Sequence, residues 1–134
     1  MFEPEEFVAI AEALQSGSAD GAAERRFRTA ISRAYYAVYL TVRQHIRAAR
    51  TDPSYDVEHG KLAKWLANHP DLTVGRFGTE FKDLFKRRTS SDYELHDVVT
   101  ENAEKVSLLS ARNLIGRAEA VVKLVPAGSF PVRD

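Results

Sequence analysis

The segment from Asp20 to Arg50 contains no proline and repeats apolar side chains at the three- and four-residue spacing of an α-helix. Asp20 is a suitable N-cap, and a helix of this length must bury its apolar side against other elements. The apolar side consists of Phe27, Ile31, Ala34, Tyr35, Val38, Val42 and Ile46. A second segment, from Glu101 with Thr100 as N-cap, carries a matching stripe of Ala103, Val106, Ala111, Leu114, Ala118, Val121 and Val125. The pattern predicts two long helices packed antiparallel as the spine of a bundle.

Three further helices are predicted around this spine, over residues 4–15, 57–68 and 74–93. Pro53, Pro70 and Pro126 lie between or after the predicted helices, where a residue that cannot continue a helix is expected. No segment shows the alternation of a strand bounded by turns. We therefore expect an all-α fold, an antiparallel bundle of about five helices over residues 1–125, followed by an irregular tail over 126–134.

Composition limits the classes of protein that the chain can represent. Lysine and arginine together number 19, as do aspartate and glutamate, so a site for a polyanion must be a local patch. The chain has no cysteine, which excludes disulfides and thiolate metal sites. The acidic N-terminus lacks the basic start of a signal peptide, and no apolar run is long enough to span a membrane. We expect a cytoplasmic protein without membrane contact.

Several common chemistries lack their sequence patterns. There is no glycine-rich loop followed by Lys-Ser/Thr, as a phosphate-binding loop requires. The four histidines, His45, His59, His69 and His96, do not have metal-ligand spacing, and Glu-x-x-His pairs of a di-iron bundle are absent. No metal or cofactor is expected.

The side of the first long helix opposite its apolar stripe is unusual. It carries Arg33, Tyr36, Leu40, Arg43 and Arg47. An aromatic ring and a leucine among arginines suit the centre and rim of a subunit interface, and we expect a homodimer. The same side could also be a solvated face, or could contact RNA through phosphate and base.

The helix predicted over 74–93 carries an apolar stripe that ends in a charged residue. Phe77, Phe81, Leu84 and Phe85 form the stripe, and Arg88 continues it by one turn. Asp92, four residues further on, is the obvious partner for that guanidinium. Arg88 and Asp92 therefore form either part of a site or a structural lock at the helix end, while Arg87 projects to a different side.

Three stretches of the chain, in order, resemble the HEPN family of small helical domains. Members commonly carry Arg-x-x-Tyr-Tyr-Ala in their second helix, and here Arg33 stands one residue closer to the tyrosine pair Tyr35–Tyr36. The run His59-Gly60-Lys61-Leu62 resembles the start of the family's short third helix. The end of its fourth helix has the pattern Arg-x-x-x-Asp-Tyr in one branch, matched here by Arg88, Asp92 and Tyr93.

The resemblance implies an RNA-related function. Active HEPN ribonucleases carry an arginine, four to six intervening residues and a histidine, usually at a homodimer interface, and cleave RNA without metal through the ribose 2′-OH. Here Asp92 and Tyr93 stand where the histidine is expected, so His59 or His96 would have to supply the imidazole. The candidate catalytic residues are Arg88, Asp92, Tyr93, His59 and His96, and the candidate RNA-phosphate contacts are Arg33, Tyr36, Arg43 and Arg87.

Three functions remain open at this stage. The first is a HEPN-type protein that binds or cleaves RNA in a toxin–antitoxin or defence context. The second is a non-catalytic binding module paired with a nucleotidyltransferase-type antitoxin or other partner protein. The third is a helical interaction protein whose long helix drives dimerisation.

Overall fold

The structure, a computed structural model, describes residues 23–93 and 101–132, with side chains described over 29–88 and 104–132. Four α-helices lie in these ranges: α1 (Ala23–Arg50), α2 (His59–Ala67), α3 (Leu72–Tyr93) and α4 (Glu101–Lys123), followed by a short 3-10 helix at Ala127–Ser129. The all-α bundle predicted from the sequence is confirmed. The helix predicted over 4–15 and the N-caps predicted at Asp20 and Thr100 lie outside the described residues.

The long helices α1 and α4 pack against each other, and α3 packs against both. The short α2 packs against α3. None of the described helices has the length and apolar character needed to cross a bilayer. Among the described side chains, no three histidine, aspartate or glutamate residues are close enough together to hold a metal ion.

The core lies where the apolar stripes meet. Every described residue of the predicted α1 stripe is buried, from Ile31 to Ile46, as are Phe77, Phe81 and Leu84 of α3. On α4 the prediction is correct from Ala111 to Val125 but wrong at Val106, which is 41% exposed. The buried residues on that turn are Glu104, Ser107 and Leu108 instead, because Val106 lies about 120° round the helix from Ala118.

The helices α2 and α3 form a hairpin with capped ends. The Glu58 carboxylate accepts hydrogen bonds from the backbone N–H groups of Gly60 (2.9 Å) and Lys61 (3.1 Å), so α2 begins at His59. The Asp71 carboxylate accepts from Thr73 N (2.9 Å) and Val74 N (3.1 Å) and starts α3 two residues earlier than predicted. Both caps satisfy backbone donors that would otherwise lack partners.

Gly78 allows the two helices of this hairpin to approach closely. A Cβ atom at Gly78 would lie 2.1 Å from the backbone nitrogen of Ala67 and 2.2 Å from the carbonyl carbon of Leu66. Such distances are impossible for real atoms, so no other residue fits here without moving a helix. This glycine, which lies near the start of the helix predicted over 74–93, therefore has a packing role.

The segment after α4 packs back onto the bundle. Phe130 is 3% exposed and belongs to the core, with its ring 5.4 Å from that of Trp65. The Tyr55 hydroxyl donates to Pro131 O (2.5 Å), and burial raises the pKa of Tyr55 to about 12. Arg50 donates to Ala127 O (3.1 Å) from the end of α1. Residues 127–131, predicted to be an irregular tail, thus help to close the core.

Candidate functional site

The loop between α1 and α2 is held by tyrosine and arginine side chains of α1. The Tyr39 hydroxyl lies 2.7 Å from Val57 O and 3.0 Å from Asp56 Oδ1, and burial together with the Asp56 hydrogen bond raises the pKa of Tyr39. Arg43 lies over the Tyr39 ring and 3.6 Å from the same carboxylate. These contacts fix the end of the loop and thereby the position of His59, the first residue of α2.

His59 lies in a cage of four aromatic rings. Its imidazole is 5.4 Å from the ring of Tyr35, 5.7 Å from Tyr36, 5.5 Å from Tyr39 and 5.6 Å from Phe85, measured between ring centroids. The neighbouring Gly60 makes room for this arrangement, because a Cβ there would lie 3.3 Å from Phe85 Cζ and 2.9 Å from the capping carboxylate of Glu58. The His-Gly step in the sequence therefore has a physical reason in this packing.

The hydrogen bond between Tyr35 and His59 indicates which nitrogen of His59 carries the proton. Tyr35 Oη and His59 Nδ1 lie 2.8 Å apart, and the Tyr35 side chain is fully buried. A buried hydroxyl needs an acceptor for its proton, and we infer that the Tyr35 hydroxyl donates to Nδ1. The proton of the neutral imidazole then resides on Nε2, which makes Nε2 a hydrogen-bond donor.

Arg88 of α3 lies against the tyrosine pair of α1. Its guanidinium donates to Tyr36 Oη (3.1 Å), and its Cζ is 4.9 Å from the Tyr36 ring centroid and 5.6 Å from that of Tyr35. Because Tyr36 Oη accepts from Arg88, its own proton is available to another acceptor. We call Tyr35, Tyr36, His59 and Arg88 the Arg–Tyr–His cluster.

The cluster combines hydrogen-bond donors with an aromatic surface. Tyr36, His59 and Arg88 are each partly exposed, whereas Tyr35 supports them from the core. The guanidinium, the Tyr36 hydroxyl and His59 Nε2–H can all donate to an anion. A partly exposed tyrosine ring beside these donors can also contact a base. The arrangement is suited to a phosphate group attached to an aromatic unit, as in a nucleic acid.

The environment of His59 favours the neutral form of its imidazole. Burial lowers the pKa of His59 below its ordinary value of 6.5, and the positive charge of Arg88 lowers the pKa further, with Glu58 opposing the shift. The Tyr35 hydrogen bond acts in the same direction, because Nδ1 must remain a lone-pair acceptor for the buried hydroxyl.

This neutral imidazole makes stability depend on pH. The unfolded chain binds a proton at this histidine more readily than the folded protein does, so the free energy of unfolding should fall as the pH drops below about 6.5. His59→Asn keeps an acceptor near the position of Nδ1 but does not titrate. Urea unfolding of both proteins from neutral to mildly acidic pH should show wild type losing more stability than His59→Asn. Parallel curves would contradict the assignment.

The other candidate residues have different surroundings. Arg43 is engaged with Asp56 and Tyr39, as described above. Arg33 Nε is buried and has no hydrogen-bond partner in the described part of the chain, and Arg87 is partly buried. The side chains of Asp92 and Tyr93, and the whole of His96, lie outside the described residues, so the Arg88–Asp92 pair stays a prediction.

The structure adds contacts that the sequence did not predict. Tyr35 was assigned to the core stripe alone, yet its hydroxyl also orients His59. Tyr36 and Leu40, placed on the side away from the core, are partly buried against it. A tyrosine on a stripe whose other side chains are all hydrocarbon was the available signal, because a buried hydroxyl requires a partner.

Comparisons with protein-family models, with curated proteins and with solved structures found no match to this chain. The fold and the site define an all-α helical bundle with a partly exposed arginine, tyrosine and histidine packed together on α1, α2 and α3. The HEPN resemblance, the homodimer and the nucleotidyltransferase-type partner remain predictions from the sequence.

Proposed function

We propose that this chain is a HEPN-type domain that binds RNA through the Arg–Tyr–His cluster, in the toxin–antitoxin or defence setting that the sequence resemblance implies. The observation that carries the proposal is the hydrogen bond from Arg88 to Tyr36 beside the imidazole of His59. This arrangement brings together Tyr36, His59 and Arg88, one residue from each of the three stretches on which the resemblance rests. If these three side chains served only to hold the helices together, they would not need to stay partly exposed.

The charge and hydrogen-bonding character of the cluster support an RNA phosphate as its ligand. A guanidinium matches phosphate geometry with two parallel hydrogen bonds, and the Tyr36 hydroxyl and His59 Nε2–H can add to them. Arg33 lies one turn before Tyr36 on α1 and is partly exposed, so its guanidinium would donate to a further phosphate oxygen. The balanced net charge of the chain limits binding to a patch of this kind.

The proposal predicts that Arg88→Ala weakens RNA binding by about tenfold or more, because a hydrogen-bonded charge contact is lost. It also predicts that the slope of log affinity against log salt concentration falls by about 0.7, the value for one phosphate contact to a single strand. Fluorescence anisotropy with a labelled single-stranded RNA, repeated over a salt series, measures both quantities.

Arg76→Ala is the matched control, because Arg76 is an exposed arginine elsewhere on α3 and its loss changes the net charge equally. Arg88→Ala also loses the contacts with Tyr35 and Tyr36, so its melting temperature must be measured and binding tested well below it. If Arg88→Ala and Arg76→Ala bind RNA as wild type does, the RNA-binding proposal is wrong.

Metal-independent RNA cleavage is a second candidate, favoured by the position of an imidazole beside the arginine-bound tyrosine. The Nε2–H tautomer inferred for His59 suits hydrogen bonding to phosphate. A general base at Nε2 needs the other tautomer, in which Nδ1–H donates to Tyr35 Oη and the Tyr35 proton loses its acceptor. Incubation with RNA in EDTA distinguishes the two. Cleavage that is abolished by His59→Asn would favour the nuclease, and intact RNA in a protein that binds it would favour binding alone.

A further inference from the structure

Three hydrogen-bond donors of the Arg–Tyr–His cluster come from three different helices. Tyr36 lies on α1, His59 begins α2 and Arg88 lies on α3. The Tyr36 and His59 rings are 5.7 Å apart between centroids, and Arg88 Cζ is 4.9 Å from the Tyr36 ring centroid. Groups at these separations can all reach one phosphate, whose oxygens accept hydrogen bonds over about 3 Å. The cluster therefore offers a single anion donors from all three helices.

Arg88 can engage two phosphate oxygens by itself. A guanidinium has five N–H donors, so the bond to Tyr36 and a further interaction of Arg88 leave donors for a ligand. Two N–H groups of a guanidinium match two oxygens of one phosphate side by side. A phosphodiester inside an RNA strand has only two non-bridging oxygens and a single negative charge. Arg88 can therefore bind such a phosphodiester without the other two donors.

Tyr36 and His59 supply donors beyond those of the guanidinium. The Tyr36 hydroxyl accepts from Arg88 and keeps its own proton for another acceptor. The second donor is the Nε2–H group inferred for His59. Both side chains are partly exposed. Glu58, the acidic residue next to His59, has its carboxylate hydrogen-bonded to the first backbone N–H groups of α2.

We propose that the cluster recognises a phosphate monoester at the end of an RNA strand in preference to the phosphodiesters inside it, an inference that rests on the proposed RNA binding. A terminal phosphate has three non-bridging oxygens and a charge of about −1.5 to −2 at pH 7. Two of the oxygens suit the guanidinium. The third gives the Tyr36 hydroxyl and the His59 N–H an acceptor of their own. Either the 5′ or the 3′ end of a strand can carry such a group.

The charge of a terminal phosphate also suits the cluster. The positive charge of Arg88 contributes to the lowered pKa of His59, so its field reaches the imidazole. The Coulomb energy of an ion pair is proportional to the charge of each partner. At the same distance from the guanidinium, a dianion is therefore attracted about twice as strongly as the monoanion of a phosphodiester.

Competition against a fluorescent single-stranded RNA, followed by anisotropy, tests this preference. The unlabelled competitors share one short sequence and carry a 5′-phosphate, a 3′-phosphate or hydroxyls at both ends. A hydroxyl-ended strand that is longer by a single nucleotide controls for charge, because it adds an internal phosphodiester. We expect at least one phosphate-ended strand to bind about tenfold tighter than both hydroxyl-ended strands, as for hydrogen bonds to a charged group. The end that is preferred identifies the source of the monoester.

Two variants test the donors assigned to the third oxygen. Tyr36→Phe and His59→Asn should each reduce the preference for the phosphate-ended strand, and Tyr36→Phe keeps the ring that lies against Arg88. The preference is a ratio of two affinities measured on one protein, so a smaller folded fraction does not change it. Arg76→Ala, which removes an exposed arginine outside the cluster, should keep the preference of the wild type.

The outcomes separate this inference from the RNA binding on which it rests. If RNA binds through Arg88 but all strands bind equally well, the inference is overturned and RNA binding stands. The same holds if Tyr36→Phe and His59→Asn both keep the preference of the wild type. If none of the strands binds, both proposals fail.

Discussion

Replacing Gly78 by alanine should destabilise the protein by about 3 kcal/mol, the upper part of the usual range for overpacking a core. The added Cβ would overlap backbone atoms of Ala67 and Leu66, which cannot rotate away as a side chain could. Relief requires α2 and α3 to separate, and this would loosen the buried contacts of Phe77 and Leu66. Urea unfolding followed by circular dichroism measures the change.

Gly116→Ala is the matched control for this prediction. Gly116 lies within α4, and a Cβ there would meet no atom within 4 Å. Alanine at an open helical position should stabilise the protein by roughly 0.5–1 kcal/mol, because glycine loses more backbone entropy on folding. The two identical substitutions should thus have opposite signs. A stable Gly78→Ala protein would show that the hairpin is packed less closely than the distances at Gly78 indicate.

Phe130→Ala should cost about 3–5 kcal/mol, the range for removing a buried phenylalanine ring. The ring lies in the core cluster and against Trp65, and nothing in the nine residues after Val125 could replace it, because this segment has no other aromatic residue. Its loss should also increase the solvent exposure of Trp65, which a red shift of the tryptophan emission would report.

Val132→Ala removes an apolar side chain from the same segment and serves as its control. Val132 is 49% exposed, so the change in stability should stay within about 0.5 kcal/mol. If Phe130→Ala were as mild as Val132→Ala, the C-terminal segment would not be part of the core.

Most of the helices could be predicted from features that act over a few neighbouring residues. The α1 stripe follows the helical period without interruption, so its burial from Ile31 to Ile46 could be foreseen. The helix α2 begins after its capping residue Glu58 and ends shortly before Pro70, and α3 begins after its capping residue Asp71. The predicted starts of both helices were nevertheless wrong by two residues. Caps and prolines act over a few residues, and the sequence displays them directly.

Features that depend on distant parts of the chain were harder to predict. Val106 was assigned to the core because α4 carries apolar residues on more than one side, while Leu108 and the polar Glu104 and Ser107 occupy the buried positions. Hydrophobic periodicity cannot identify the inner side of such a turn. Phe130 likewise follows a proline and a glycine, and nothing local indicates that it folds back onto the bundle.

The sequence indicated which residues belong to the candidate site but not how they are arranged. Arg88, Tyr36 and His59 could be selected through the resemblance, but Arg88 and Tyr36 are 52 residues apart in the chain. Their hydrogen bond depends on how α1 and α3 pack. The role of Tyr35 as donor to His59 depends on the same packing and on the anchoring of the intervening loop by Tyr39.

The close approach to α2 makes Gly78 the point about which α3 would tilt. Arg88 lies ten residues further along the same helix, a distance of about 15 Å at the α-helical rise. If α3 pivoted at Gly78 by about 5°, Arg88 would swing by roughly 1.3 Å, enough to break a hydrogen bond of the length seen with Tyr36. A methyl group added at Gly78 would therefore also disturb the contacts that the Arg88 guanidinium makes with Tyr35 and Tyr36.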